Sequence, residues 1–412
     1  AVVESVGREL SHMRLVHLAD LHIGYRQYQR LTPAGINQRE ADVAATFKRA
    51  IDRTIELRPD FVLIAGDVFH SVRPSNPAIL HAFLQFARLA EALPQARLVM
   101  VAGNHDTPRT AETGCILRLF SPLGIHVVEG DAQRLEFPED GISILAVPDI
   151  PAGIPALTPD PGARRNILLL HGEIEGVLPD YARQMERATV GITRDELAPS
   201  RWDYVALGHY HVHREVAPNA YYSGSIDYTS ANPWGEIREE REAGLYDPVR
   251  GGKGIIEWDL ETATHTFHPL AVARPLVDLP RVDGAAMTAA ELDAVVRGLV
   301  DTSRVPIDDH VVRLVVTDVP RHIARQMDPK AVRDIKRRAL HFNLDVRRPE
   351  LVRHSASGAP GRRQSLTEVL RDKLESRPLS AEIDRAAFVA LGLEYLNQAD
   401  AVTTATAVSD VL

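Results

Sequence analysis

Two stretches decide the fold: Arg14-Leu15-Val16-His17-Leu18-Ala19-Asp20-Leu21-His22 and Phe61-Val62-Leu63-Ile64-Ala65-Gly66-Asp67-Val68-Phe69-His70. Each is a short, nearly all-apolar run that stops at an aspartate and a histidine. A strand buried on both faces reads this way, as a continuous run rather than an alternation. Leu98–Ala102, Ile142–Val147, Ile167–Leu170 and Tyr204–Leu207 have the same character. Between strands the period changes. Val43, Phe47, Ile51 and Ile55 recur every fourth residue, and Leu80, Phe83, Leu84 and Ala87 form a second stripe, so each segment predicts a helix with one face to bury. From Met13 to about Leu207 the alternation predicts an α/β domain, its sheet covered by helices on both sides. Further on, Gly254–Leu260 and Thr264–His268 predict a hairpin, and the Gly-, Pro- and charge-rich stretch Asn232–Lys253 before it predicts an exposed loop.

Residues 275–348 read as a small α+β domain. Thr288 and Glu291 form a capping box, Asp328 and Pro329 open another helix, and Val311–Thr317 and Asn343–Arg347 are strands. Residues 355–363 have linker composition. Residues 364–412 predict helices, opened by a capping box at Ser365 and Glu368, with Leu366, Val369, Leu370, Phe388, Leu391 and Tyr395 giving them an apolar surface suited to docking. Residues 1–12 read as a tag remnant ahead of Met13.

The composition narrows the function. A single cysteine, Cys115, excludes an internal disulfide and a thiolate zinc site and fits a reducing, cytoplasmic setting. No run reaches the 18 or more apolar residues of a membrane span. A net charge of −9 argues against a protein that coats polyanions over its whole surface, so any nucleic-acid contact must be local.

The 17 histidines are more telling, because several stand at the ends of apolar runs. Asp20 and His22 follow the first strand, Asp67 and His70 the second, and Gly103-Asn104-His105-Asp106 the third. His171 and then Gly208-His209-Tyr210-His211 end two more. In an open α/β sheet, ligands collect at the carboxyl ends of strands. Imidazole, carboxylate and carboxamide in this number suit two divalent ions of the Mn, Fe or Zn type better than Mg or Ca. Two ions about 3.5–4 Å apart need a shared ligand, and a carboxylate serves best. Asp67 is the expected bridge, with Asp20, His22 and His211 completing one site and Asn104, His171 and His209 the other. Singly, each short motif is more often a turn or a hydrogen-bonded core histidine than a ligand.

Together, Asp20-x-His22, Gly66-Asp67, Gly103-Asn104-His105-Asp106, His171 and Gly208-His209-x-His211 resemble the motif series of the calcineurin-like metallophosphoesterases. More narrowly, His17 to Gly24, Gly66 to His70 and Ala206 to His211 resemble the SbcD-type double-strand-break repair nucleases. The likeness covers about Met13 to Leu270, is vague over Asn232–Lys253, and past Pro275 rests only on the order of parts. It implies a metallophosphoesterase β-sandwich with flanking helices over residues 13–272, a small α+β capping domain and a C-terminal helical segment. It also implies a DNA exonuclease and endonuclease that prefers Mn, pairs as a homodimer and works with an SbcC-type SMC-like ATPase bound through its C-terminal helices.

In that scheme His105 stabilises charge or protonates the leaving oxygen, Asp106 orients its ring, and His70 touches the phosphate or steers the strand. The alternative for His70 is a helix-start histidine hydrogen-bonded to backbone. Phosphoprotein phosphatases of this superfamily place arginine where Ala102 stands, which favours a diester substrate. The competing readings are a phosphodiesterase for nucleotides or other small diesters, and a noncatalytic binding subunit. Arg333, Lys336, Arg337 and Arg338 on one helix, and Arg347, Arg348, Arg362 and Arg363 around the linker, read either as phosphate contacts or as solvated surface.

Overall fold

The computed structural model describes residues 13–108, 114–149, 154–179, 188, 190–349, 366–377, 379 and 383–396. The tag remnant, the linker and Ser365 of the last capping box lie outside them. The chain divides into two compact units at residues 349 and 350.

In the first unit, one six-stranded sheet comprises β1 (Arg14–Leu18), β2 (Phe61–Ala65), β3 (Arg97–Val101), β4 (His126–Val128), β13 (Gly254–Asp259) and β14 (Thr264–Pro269), in the order β14-β13-β1-β2-β3-β4. A second comprises β5 (Gln133–Phe137), β6 (Ile142–Val147), β7 (Arg165–His171), β10 (Tyr204–Gly208), β11 (Arg214–Ala217) and β12 (Ala220–Tyr222), in the order β11-β12-β10-β7-β6-β5. A two-stranded ladder joins β8 (Glu173–Ile174) to β9 (Gly191–Ile192). The strands that carry the motifs run parallel within each sheet.

Side chains alternate across a strand, so each strand feeds two cores. Leu15, Phe61, Leu63, Val99 and Val101 meet Ile144, Ala146, Ile167, Leu169 and Tyr204 between the sheets. Val16, Leu18, Val62, Ile64 and Met100 face outward against helices α1 (Gln38–Leu57) and α2 (Asn76–Ala92). The expected single sheet with helices on both sides is therefore corrected. Each sheet has helices or loops on one face and its partner sheet on the other, which makes the same strands apolar throughout. This is the β-sandwich with flanking helices.

Helix α1 buries Val43, Phe47 and Ile51 as read. Helix α2 does not bury the face its leucines suggest. Its inner stripe is Ala78, Ala82, Phe86 and Leu89, while Leu80 and Leu84 are 60% and 54% exposed. Small alanines permit close approach to the rest of this core, and Phe86 then fills the gap edge-on to Phe47 and Phe120 at 5.2 and 4.8 Å. Phe86→Ala is expected to cost about 3–5 kcal/mol and Leu84→Ala less than about 0.5 kcal/mol, measured as shifts in urea midpoint. Equal costs would return the buried face to the leucines.

Asn232–Lys253 is not an exposed loop. After α3 (Arg194–Leu197), helix α4 spans Pro233–Glu242, with Asn232 capping the N–H of Gly235 and Pro233 in the first turn. Its Glu236, Glu239 and Glu240, and Lys253 beyond it, are buried. Their charges read as solvent-facing, but Lys253 pairs with Glu236 and Glu240, and Arg214 with Glu239, which allows burial.

Residues 275–348 supply a parallel sheet of β15 (Leu276–Asp278), β16 (Val282–Asp283), β17 (Val311–Thr317) and β18 (His341–Val346). Helices α5 (Ala289–Asp301), α6 (Arg321–Gln326) and α7 (Pro329–Arg338) accompany it, and the Thr288/Glu291 capping box forms. Arg274 bonds Asp42 at 2.7 Å, Arg30 bonds Asp309 at 2.5 Å, and Tyr28 stacks on His341 at 4.3 Å, fixing this part to the sandwich. The second unit contains α8 (Leu366–Glu375) and helical residues 385–396. No described helix is long and apolar enough to cross a membrane.

A buried histidine gives the sandwich a pH dependence. His17 lies between the sheets with Nδ1 3.1 Å from the Tyr204 hydroxyl, and burial lowers its pKa to about 3. Burial and the neighbouring His265 also lower His213, to about 4. The unfolded imidazoles, at about 6.5, take protons that the folded ones refuse. The stability these two histidines contribute is therefore complete above about pH 6.5 and is lost with acidification, by up to about 1.4 kcal/mol per pH unit for His17. Urea unfolding between pH 7.5 and 4.5 is expected to show this slope, flatter in His17→Leu. An unchanged slope in that variant would exclude the assignment.

Candidate metal centre

All five motif-bearing strands deliver their ends to one place. β1 leads to Asp20 and His22, β2 to Asp67 and His70, β3 to Asn104, His105 and Asp106, β7 ends on His171, and β10 leads to His209 and His211. Hydrogen bonds from Asp20 N to Gly66 O (3.0 Å) and from His22 N to Asp67 O (2.9 Å) tie the first two loops together.

The backbone is strained where the functional side chains sit. Asp20, His22, Asp67 and His209 have φ of 53°, 45°, 49° and 104°. Such non-glycine conformations cost of order 1–3 kcal/mol each and persist where the surroundings enforce them. At Gly208 the reason for glycine is space, since a Cβ would overlap the Ala65 carbonyl oxygen.

The seven expected ligands come together as two clusters around Asp67. In one, His22 Nε2 lies 2.9 Å from His211 Nε2, and Asp20 joins them with its ligand atom within 4.8 Å of both. In the other, Asn104 Oδ1 lies 3.0 Å from His171 Nε2 and 3.2 Å from His209 Nδ1. The Asp67 carboxylate stands between. Its Oδ1 accepts the His105 N–H at 2.9 Å, while Oδ2 is buried, accepts no hydrogen bond from any described residue, and lies 3.8 Å from His22 Nε2 and 3.5 Å from His171 Nε2.

The electrostatics are those of a site short of positive charge. Burial raises the Asp20 carboxyl to about 6 against the pull of His211 and His171. Burial, then repulsion from Asp67, raises Asp106 to about 7. Burial, then His211 and the other imidazoles, holds His22 well below the usual range. His171 moves the other way, because Asp67 and Asp20 outweigh its burial. Outer groups fix the ligands: Ala65 O lies 2.8 Å from His171 Nδ1 and orients that ring, and the His209 backbone N–H donates to the Asp20 carboxylate at 2.9 Å.

His70 and His105 form a third group with His22. Their rings stack at 5.2 Å, and His70 Nδ1 lies 3.3 Å from His22 Nδ1. The expected pairing of Asp106 with the His105 ring is corrected. His105 Nδ1 lies 2.8 Å from the carbonyl oxygen of His70, and the Asp106 carboxylate accepts the N–H groups of Val68, Phe69 and Gly103 at 2.9–3.1 Å. Three converging donors make Asp106 the brace between the second and third loops.

Of the basic residues, Arg338 pairs with Asp308 at 2.9 Å and Arg337 with Asp334, which favours solvated surface on α7. A different groove gathers Arg238, Arg241, Arg281, Arg313 and Arg347 from α4 and the 275–348 sheet, with Asp278 among them. Arg362 and Arg363 lie outside the described residues. Sequence reasoning missed Glu236 and Lys253, which pack behind His211 and carried no signal beyond their charge.

Residues 13–228 match the calcineurin-like phosphoesterase family, and the chain belongs to that family. It is similar to proteins named DNA double-strand break repair protein Mre11. The one from Methanococcus maripaludis is 29% identical over 264 residues, 60% of this chain and 63% of the relative. The one from Saccharolobus solfataricus is 26% identical over 274 residues, 63% and 65% of the two chains. The one from Methanocaldococcus jannaschii is 40% identical over 97 residues, 24% of each. The chain spans less than two thirds of the length of each of these relatives.

Proposed function

We propose that this chain is a phosphodiesterase acting on DNA, an exonuclease and endonuclease of double-strand-break repair, with two divalent metal ions of which Mn is preferred. The observation that carries the reading is the Asp67 Oδ2 atom, buried between the imidazoles of two clusters without a donor among the described residues. Asp20, His22 and His211 would hold one ion, Asn104, His171 and His209 the other, and Asp67 both. When bound, such a pair neutralises phosphate oxygens and lowers the pKa of a water for in-line attack. His105, held by the His70 carbonyl, stabilises the developing charge or protonates the leaving oxygen. His70, stacked on it, positions the phosphate, and Asp106 braces both loops.

The names of the relatives support DNA over small diesters. In the arginine groove Arg241 and Arg313 pair with Asp278 and Arg347 with Asp345, so its cationic charge is partly neutralised by the chain itself. We assign residues 13–272 to the nuclease domain, 275–348 to the capping domain, 355–363 to a linker and 364–412 to the segment that binds an SMC-like ATPase. Exposed Val369, Ile383, Leu391 and Tyr395 in the last segment, and exposed Leu80 and Leu84 on α2, suit the ATPase and a homodimer partner respectively.

The test is hydrolysis of linear duplex and hairpin DNA with Mn²⁺, beside a chromogenic phosphodiester. Cleavage of DNA is expected. Turnover of the small diester alone would transfer the assignment to nucleotides or other small diesters.

A further inference from the structure

Helix α4 and Lys253 contribute nothing to the two clusters directly, yet they hold one cluster from behind. Lys253 Nζ donates to Glu236, lies 3.0 Å from Glu240 Oε1, and donates to the carbonyl oxygen of His211 at 2.8 Å. Glu236 Oε1 lies 3.8 Å from Nδ1 of His211, whose Nε2 faces His22 at 2.9 Å. One imidazole therefore turns one nitrogen toward the cluster and the other toward a buried carboxylate. The lysine that neutralises this carboxylate also pins the main chain of the same histidine. Buried ion pairs are weak sources of stability, so the arrangement calls for a positional reason.

We propose that Glu236 is a positioning residue for His211. It takes the Nδ1–H as a hydrogen bond, which leaves Nε2 unprotonated for a divalent cation, and Lys253 locks carboxylate and backbone together. The inference rests on the two-cation reading of the centre. A carboxylate behind a ligand histidine fixes its tautomer and raises its basicity, an effect typically worth 10–100-fold in metal affinity. The 3.8 Å separation needs to close by about 1 Å to reach hydrogen-bond length. Glu239 is the internal control: on the same helix and buried, it binds Tyr210 and Arg214 instead.

The metal-stripped full chain is titrated calorimetrically with Mn²⁺, and its urea midpoint is measured alongside. Wild type is expected to bind two ions. Glu236→Gln is expected to bind one of them about 10–100-fold more weakly and the other unchanged, whereas Glu239→Gln binds both as wild type does. Constants unaltered in Glu236→Gln, or weakened equally in both variants, would overturn the proposal whatever the midpoints do. Should Glu236→Gln not fold, imidazole nitrogen NMR of the zinc-loaded wild type decides. A His211 protonated at Nδ1 supports the proposal, and one protonated at Nε2 overturns it. A wild-type chain that binds no ion overturns the two-cation reading and this inference together, an outcome distinct from the others.

Discussion

Asp67→Asn is expected to lower DNA hydrolysis by about 10³-fold or more, equivalent to roughly 4 kcal/mol of lost transition-state stabilisation, while the unfolding midpoint stays level or rises. The two effects have one cause. Asparagine keeps an oxygen for the His105 N–H, now 2.9 Å from Oδ1, so the loop is preserved. It loses the negative charge and presents an amide where Oδ2 faces His22 and His171. A shared ligand for two cations is then gone. In the metal-free protein, that same charge repels Asp20 and Asp106, whose carboxyls are already raised to about 6 and about 7. Removing it relieves a buried like-charge group. Nuclease rates with Mn²⁺ and urea midpoints without metal check both arms. Retained activity would sink the shared-carboxylate reading, and a large loss of stability would sink the electrostatic one.

His105→Ala is expected to cost about 10²–10⁴-fold in rate, the usual range for a positioned acid or base, with Mn²⁺ binding within about twofold of wild type. His105 reaches Asp67 through its backbone N–H, which alanine retains, while its ring bonds the His70 carbonyl and stacks on the His70 ring. The substitution therefore removes a side chain from the phosphate side and leaves both clusters intact. Single-turnover rates separate this from a defect in DNA binding. Wild-type rates would exclude His105 as the acid, and loss of one ion would make it a ligand.

Much of this centre is legible in the chain. A buried parallel strand is an unbroken apolar run, and a ligand at its end is a polar residue where that run stops. Both are local facts, so β2 and β6 fall where the composition puts them and Asp20, Asp67, Asn104, His171 and His209 are visible in turn. The stripe on α2 was less legible, because the leucines advertise a face while the alanines occupy it.

What the sequence alone determined is the set of strands that carry the motifs, the order of those motifs and the donor chemistry they carry, because these depend on neighbours a few residues apart. Only the tertiary structure decided which strands share each of the two sheets, that Asp106 braces backbone rather than a ring, and that α4 carries a buried carboxylate to the back of His211. Those outcomes turn on which charge meets which partner across distant segments. Burial reverses the meaning of a glutamate or lysine that, read along the chain, belongs in water.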